Sequence, residues 1–150
     1  MHRRIPTDEE YFSYDGAHCR NLWKQLGDHW LCPGCGCTKR EIMRWTRRKP
    51  KPWKGLHEPY MGWMAGLHKH HDHAAPFLSG LGRFPDTVIC DQCNSADGRM
   101  KRDLKLPADF SFSPQEIRRF VLPTPHGRHG VAHLKARAIY EKLVARGLVD

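Results

Sequence analysis

The stretch from His70-His71-Asp72-His73 to Cys90-Asp91-Gln92-Cys93-Asn94 decides how this chain is read. Four nitrogen and oxygen ligands stand at its front, and a Cys-x-x-Cys turn with an asparagine directly behind closes it. Upstream lies a second such pair, Cys32-Pro33-Gly34-Cys35. A Cys-x-x-Cys turn presents two thiolates at zinc-ligand separation, so two turns complete a tetrahedral site. Cys32, Cys35, Cys90 and Cys93 are therefore the expected ligands of a structural zinc. The 54 residues from 36 to 89 separate the pairs, so the metal would clamp distant segments together. Cys37 is a rival to Cys32 or Cys35, and Cys19 beside His18 offers either a second site or two plain core cysteines.

Composition points the same way. The chain has 150 residues, 39% hydrophobic, with 11 Pro and 13 Gly. That is one domain with a thin supply of core and many loops, for which a zinc brace is apt. Six cysteines in a reducing compartment read as thiolate ligands rather than disulfides. No run is long and apolar enough for a membrane span, and the N-terminus lacks an apolar signal core. The expected location is intracellular, the cytoplasm, with no membrane partner. A net charge of +9 favours a polyanion, and five Trp and four Tyr among Lys and Arg add stacking surfaces.

Residues 1–31 read as a helical arm, with a capping box at Thr7-x-x-Glu10 and a helix over 21–26 stopped by Gly27. Thr38-x-x-Glu41 predicts another helix carrying Ile42, Met43 and Trp45 on one side. Pro50 and Pro52 end it, and residues 49–55 read as an extended basic connector. A strand is expected from Tyr60 to His71, a Gly/Pro-punctuated loop over 74–86, a short strand at 87–90 and a helix from Cys93 to Leu104. Ser113-Pro114-Gln115-Glu116 opens a further helix, residues 123–130 form a turn, and a last helix covers about 131–146. The expected division is a helical arm (1–31), a zinc-braced core (32–106) and a helical extension (107–150), forming one α+β domain overall.

Asp72-His73-Ala74-Ala75-Pro76, the glycines at 80 and 82, and Val88-Ile89-Cys90-Asp91-Gln92-Cys93-Asn94 together resemble the HNH, or ββα-metal (His-Me finger), endonucleases. Among these the chain is most similar to the phage recombination endonuclease VII group. That group has a His-x-Asp-His cluster, a Leu-Cys-x-x-Cys-Asn turn and a run like Ala96-Asp97-Gly98-Arg99-Met100-Lys101. The match covers about residues 32–104. It implies hydrolysis of DNA phosphodiester bonds, with His73 as general base and one Mg²⁺ or Mn²⁺ ion held by Asp72 and Asn94. It also implies products with a 5′-phosphate and a 3′-hydroxyl. The chemistry agrees: an imidazole near neutrality takes a proton from water, and hard oxygens hold the ion. An alternative register uses His70 as the metal ligand and His71 as the base. The chain departs from the family at Pro85, where an asparagine usually helps orient the base. That duty must pass to another group, the Asp86 backbone being the candidate. Asp97 and His70 are further candidates near phosphate or metal.

Arg44, Arg47, Arg48, Lys49, Lys51 and Lys54, with Trp45 and Trp53 among them, are expected to lie along a DNA backbone, helped by Lys101. His126-Gly127-Arg128-His129 reads as a polar turn before it reads as a metal site. The last helix either packs on the domain or forms a homodimer seam. Against the enzyme stands a different class, a non-catalytic zinc module that binds nucleic acid or a protein.

Overall fold

The computed structural model describes residues 3–74 and 82–150. Pro76 and Gly80, two of the residues that carry the resemblance, lie outside them, as does most of the expected loop over 74–86.

Among the described residues the fold is mixed α and β, with five α-helices and three two-stranded antiparallel sheets. Helix α1 (Asp8–Ser13) is closed by the Thr7/Glu10 capping box, and α2 (Arg20–Gln25) buries Trp23. Strands β1 (Arg44–Arg48) and β2 (Tyr60–Met64) form a ribbon in which Trp45 faces Trp63. Strands β3 (Leu67–His70) and β4 (Thr87–Cys90) form a hairpin that pairs Leu67 with Cys90 and His70 with Thr87. Helix α3 (Asp91–Asp103) follows without a break. It buries Cys93, Ala96, Asp97 and Met100, a spacing of three, four and seven residues that places them on one face. After it come α4 (Pro114–Phe120), the short pair β5 (Val121–Leu122) and β6 (Gly130–Val131), and α5 (His133–Ala145).

Three expectations give way to tertiary structure. The Thr38/Glu41 box forms, with Thr38 N–H donating to Glu41 Oε2 at 2.9 Å and Glu41 N–H to Thr38 Oγ1 at 3.1 Å. It opens one turn rather than a helix, because Trp45 and Thr46 pair with β2 and Lys39 is pulled inward. The Lys39 ammonium donates to the Trp23 and Leu26 carbonyls at 2.8 and 3.0 Å, a C-terminal cap for α2. The 49–55 connector folds back on itself: Lys51 bridges Leu56 around a 3₁₀ turn at Pro52–Lys54, and Gly55 takes φ +71°. The single strand expected over 60–71 breaks at Ala65–Gly66. Gly66 is where the chain passes under α3, since a Cβ there would stand 2.6 Å from that of Asp91.

The core runs through all three expected segments. Trp23, Met43, Trp63, Ile89, Met100, Phe112, Ile117 and Phe120 belong to one buried cluster that includes the paired cysteines. The 107–150 extension thus shares its hydrophobic interior with the hairpin and α3.

Candidate metal centre and active site

The four cysteine sulfurs meet. Cys32, Cys35, Cys90 and Cys93 are buried, and their Sγ atoms all lie within 4.8 Å of one another. Two of the separations are 3.7 Å (Cys32 to Cys93) and 3.8 Å (Cys35 to Cys90). Zinc–sulfur bonds of about 2.3 Å in a tetrahedron require sulfurs roughly 3.8 Å apart, so the donor set fits zinc. The four thiols also perturb one another. Hydrogen bonds from Cys32 and Cys37 hold the Cys35 thiol far below its ordinary range, while neighbouring sulfurs drive Cys90 and Cys93 far above theirs. Four sulfurs this close share a full set of negative charges only around a cation.

The knuckle that presents Cys32 and Cys35 depends on its glycines. Gly36 lies at φ +77°, and its N–H donates to the Cys32 carbonyl at 2.7 Å. A Cβ on Gly34 would stand 2.7 Å from Cys93 Sγ, so the two turns could not close. Backbone N–H groups point at the sulfurs, from Cys90 to Cys32 at 3.3 Å and from Cys37 to Cys35 at 3.5 Å. Cys37 and His129 also gather beside Cys35. His129 is not a ligand in this arrangement. Its Nδ1 accepts the Thr124 N–H at 2.9 Å, so the neutral ring carries its proton on Nε2, which faces Cys90 Sγ at 3.9 Å. Cys19 is apart from all this, its thiol directed at the Leu67 carbonyl at 3.6 Å.

The His/Asp cluster leaves the end of β3. His70 is buried, its Nε2–H donating to the Phe112 carbonyl at 2.7 Å and its ring stacked on Phe84. His71 is exposed, with Nδ1–H directed at the Lys69 carbonyl at 3.3 Å. Asp72 is buried, and its two oxygens accept the Ala74 and Arg83 N–H groups at 3.1 and 2.9 Å. His73 is exposed, its ring edge-on to that of His71, and its Nδ1 lies 2.8 Å from Ser111 Oγ. Partial burial, then the Lys101 ammonium, pushes the His73 pKa below its usual value. Among the described residues these four side chains do not bring three ligand atoms together.

Asn94 stands on the first turn of α3 and lines a hollow of about 440 Å³ with Arg44, Gln92, Ser95, Gly98, Arg102 and Arg128. Asp72 lines a different hollow, with Arg83, Asp109, Phe110 and Tyr140. Asp97 is buried behind the cluster, one oxygen accepting the Phe112 N–H at 2.9 Å and the other paired with Lys101 at 3.2 Å.

The basic residues differ in availability. Arg44 is tied to Asp91 at 3.1 Å and Lys101 to Asp97, whereas Arg48 lies over the Tyr60 ring. Arg47, Lys49 and Lys54 are exposed and Lys51 is half-exposed. Trp53, at the end of the ribbon, is 77% exposed.

Searches against family models, curated proteins and solved structures find no match to this chain. Ser111 and Arg83 carry no signal in the sequence that would place them in either site, and His129 is marked only within a motif that reads first as a polar turn. Their partners lie far away along the chain, and a lone serine or arginine belongs to no local motif.

Proposed function

We propose that this chain is a zinc-braced ββα-metal endonuclease of the HNH type, hydrolysing DNA phosphodiester bonds. The observation that carries the reading is the order β3–β4–α3, an antiparallel hairpin that runs directly into a helix beside the four paired cysteines. The hairpin delivers His73 from one end, and the paired cysteines fix Asn94 on the first turn of the helix. In this reading His73 takes a proton from the attacking water. The resemblance would assign one divalent ion, Mg²⁺ or Mn²⁺, to the oxygens of Asp72 and Asn94, the donor type that such ions prefer, although the two residues line different hollows in this structure. The ion would supply Lewis-acid stabilisation of the scissile phosphate. Asp72 also orders the turn that carries His73, through its bond from the Ala74 N–H. Exposed Arg47, Lys49, Lys51 and Lys54 provide phosphate contacts, which set affinity rather than sequence preference.

The test is nicking of supercoiled plasmid in Mg²⁺ or Mn²⁺ by zinc-loaded protein and by His73→Ala. Loss of a general base lowers the rate about 10²–10⁴-fold. Equal nicking by both proteins, or none by the zinc-loaded wild type, would sink the reading.

One observation favours a second reading, a non-catalytic zinc module that grips nucleic acid. Asp72 already accepts two backbone N–H groups and faces a different hollow from Asn94. That reading expects Asp72→Asn and Asn94→Ala to leave DNA binding unchanged, with no cleavage by any variant.

A further inference from the structure

We propose that Ser111 is a positioning residue for His73. Its hydroxyl accepts a hydrogen bond from His73 Nδ1–H and leaves Nε2, across the ring, free to take a proton. The inference rests on the reading of His73 as the base. A neutral imidazole carries one proton, and the partner of one nitrogen decides which nitrogen is basic. Among the described residues no hydrogen bond joins Asp86 to His73. The contact to the ring comes from Ser111 Oγ at 2.8 Å.

Ser111 is suited to the task by how firmly it is held. It is fully buried. Its carbonyl accepts from Arg83 Nη2 at 2.6 Å, and the same guanidinium grips both oxygens of Glu116 at 2.9 and 3.2 Å. Glu116 in turn closes the capping box of α4. The next residue, Phe112, is tied on both sides: its N–H donates to Asp97 and its carbonyl accepts from His70. The hydroxyl therefore projects from backbone pinned before and after it, and preorganisation of this kind is what a catalytic ring requires. The extension beyond α3, outside the stretch that resembles the family, supplies a part of the site.

Two variants test this in the full zinc-loaded chain, Ser111→Ala and the conservative Ser111→Thr, with zinc content and circular dichroism checked first. Nitrogen-15 correlation spectra read the tautomer directly. In the wild type neutral His73 should carry its proton on Nδ1. Ser111→Ala should shift the ring towards the Nε2–H form, and Ser111→Thr should restore it. In plasmid nicking, Ser111→Ala should lower kcat about 10- to 100-fold with KM nearly unchanged, the cost of a misaligned group. A wild-type ring protonated on Nε2, or a tautomer unchanged in Ser111→Ala, overturns the proposal. So does a normal kcat in Ser111→Ala when His73→Ala is inactive, and then only the positioning role fails. Nicking by His73→Ala at the wild-type rate overturns the base assignment itself, even with the Nδ1–H signature intact.

Discussion

Because the Thr124 N–H donates to His129 Nδ1, the proton of that ring sits on Nε2 and faces the Cys90 sulfur. A donor to a metal-bound thiolate offsets part of its charge and steadies its orientation, and such outer partners matter about 10–100-fold in metal affinity. His129→Ala is expected to release zinc more readily, by about 10-fold in a competition with a chromogenic chelator. Unchanged competition would mean that the 3.9 Å approach of ring to sulfur carries no weight. Gly34→Ala should act more severely at the same readout, since its new methyl group would sit 2.7 Å from Cys93 Sγ and force the knuckles apart. The four ligands were legible because each pair is local and chemically marked. His129 was marked only as part of a motif that reads first as a polar turn, because it is the fold that brings it across 39 residues to Cys90. Ser111 was not legible, since it reaches across 38 residues to His73.

At the level of elements, the local signals that came true are those whose partners are also local. The capping boxes at Thr7 and Ser113 open helices as expected, with both reciprocal bonds made. The box at Thr38 makes its bonds too, yet yields only one turn, because the residues that follow gain more by pairing with β2 than by continuing a helix. The resulting β1–β2 ribbon carries basic side chains towards its turn, with Trp53 exposed near the end. Its exposed position separates binding from stability. Combined Arg47→Ala and Lys51→Ala substitutions should weaken DNA binding across all sequences and reduce the salt slope by about one for each phosphate no longer neutralised. Trp53→Ala should weaken binding to single-stranded DNA by about 1–3 kcal/mol if a base stacks there. The melting temperature should hardly move in either case. Titrations at several salt concentrations check this, and equal salt slopes for variant and wild type would remove the ribbon from the interface.

For the molecule as a whole, the brace and the core are one structure. Cys32, Cys35, Cys90 and Cys93 lie within the same buried cluster as Met43, Ile89, Phe112 and Phe120. A metal held by these four sulfurs would therefore join the segment before β1 to the start of α3, and the extension packs against that junction. Two metal withdrawals should consequently have different results. Removing a divalent ion held by oxygens should leave far-ultraviolet circular dichroism unchanged while stopping any nicking. Stripping the thiolate-bound zinc should unfold the chain, because structural zinc contributes its binding energy to folding and four unneutralised sulfurs would repel. A zinc-free protein with the dichroism and melting curve of the loaded one would contradict this. Phe112→Ala separates packing from metal: it removes a fully buried ring at a cost of about 3–5 kcal/mol while leaving every sulfur in place. Its melting temperature should fall with zinc still bound at one equivalent. Loss of zinc in that variant below its melting point would show instead that the extension holds the metal closed, tying the stability of the brace to residues beyond α3.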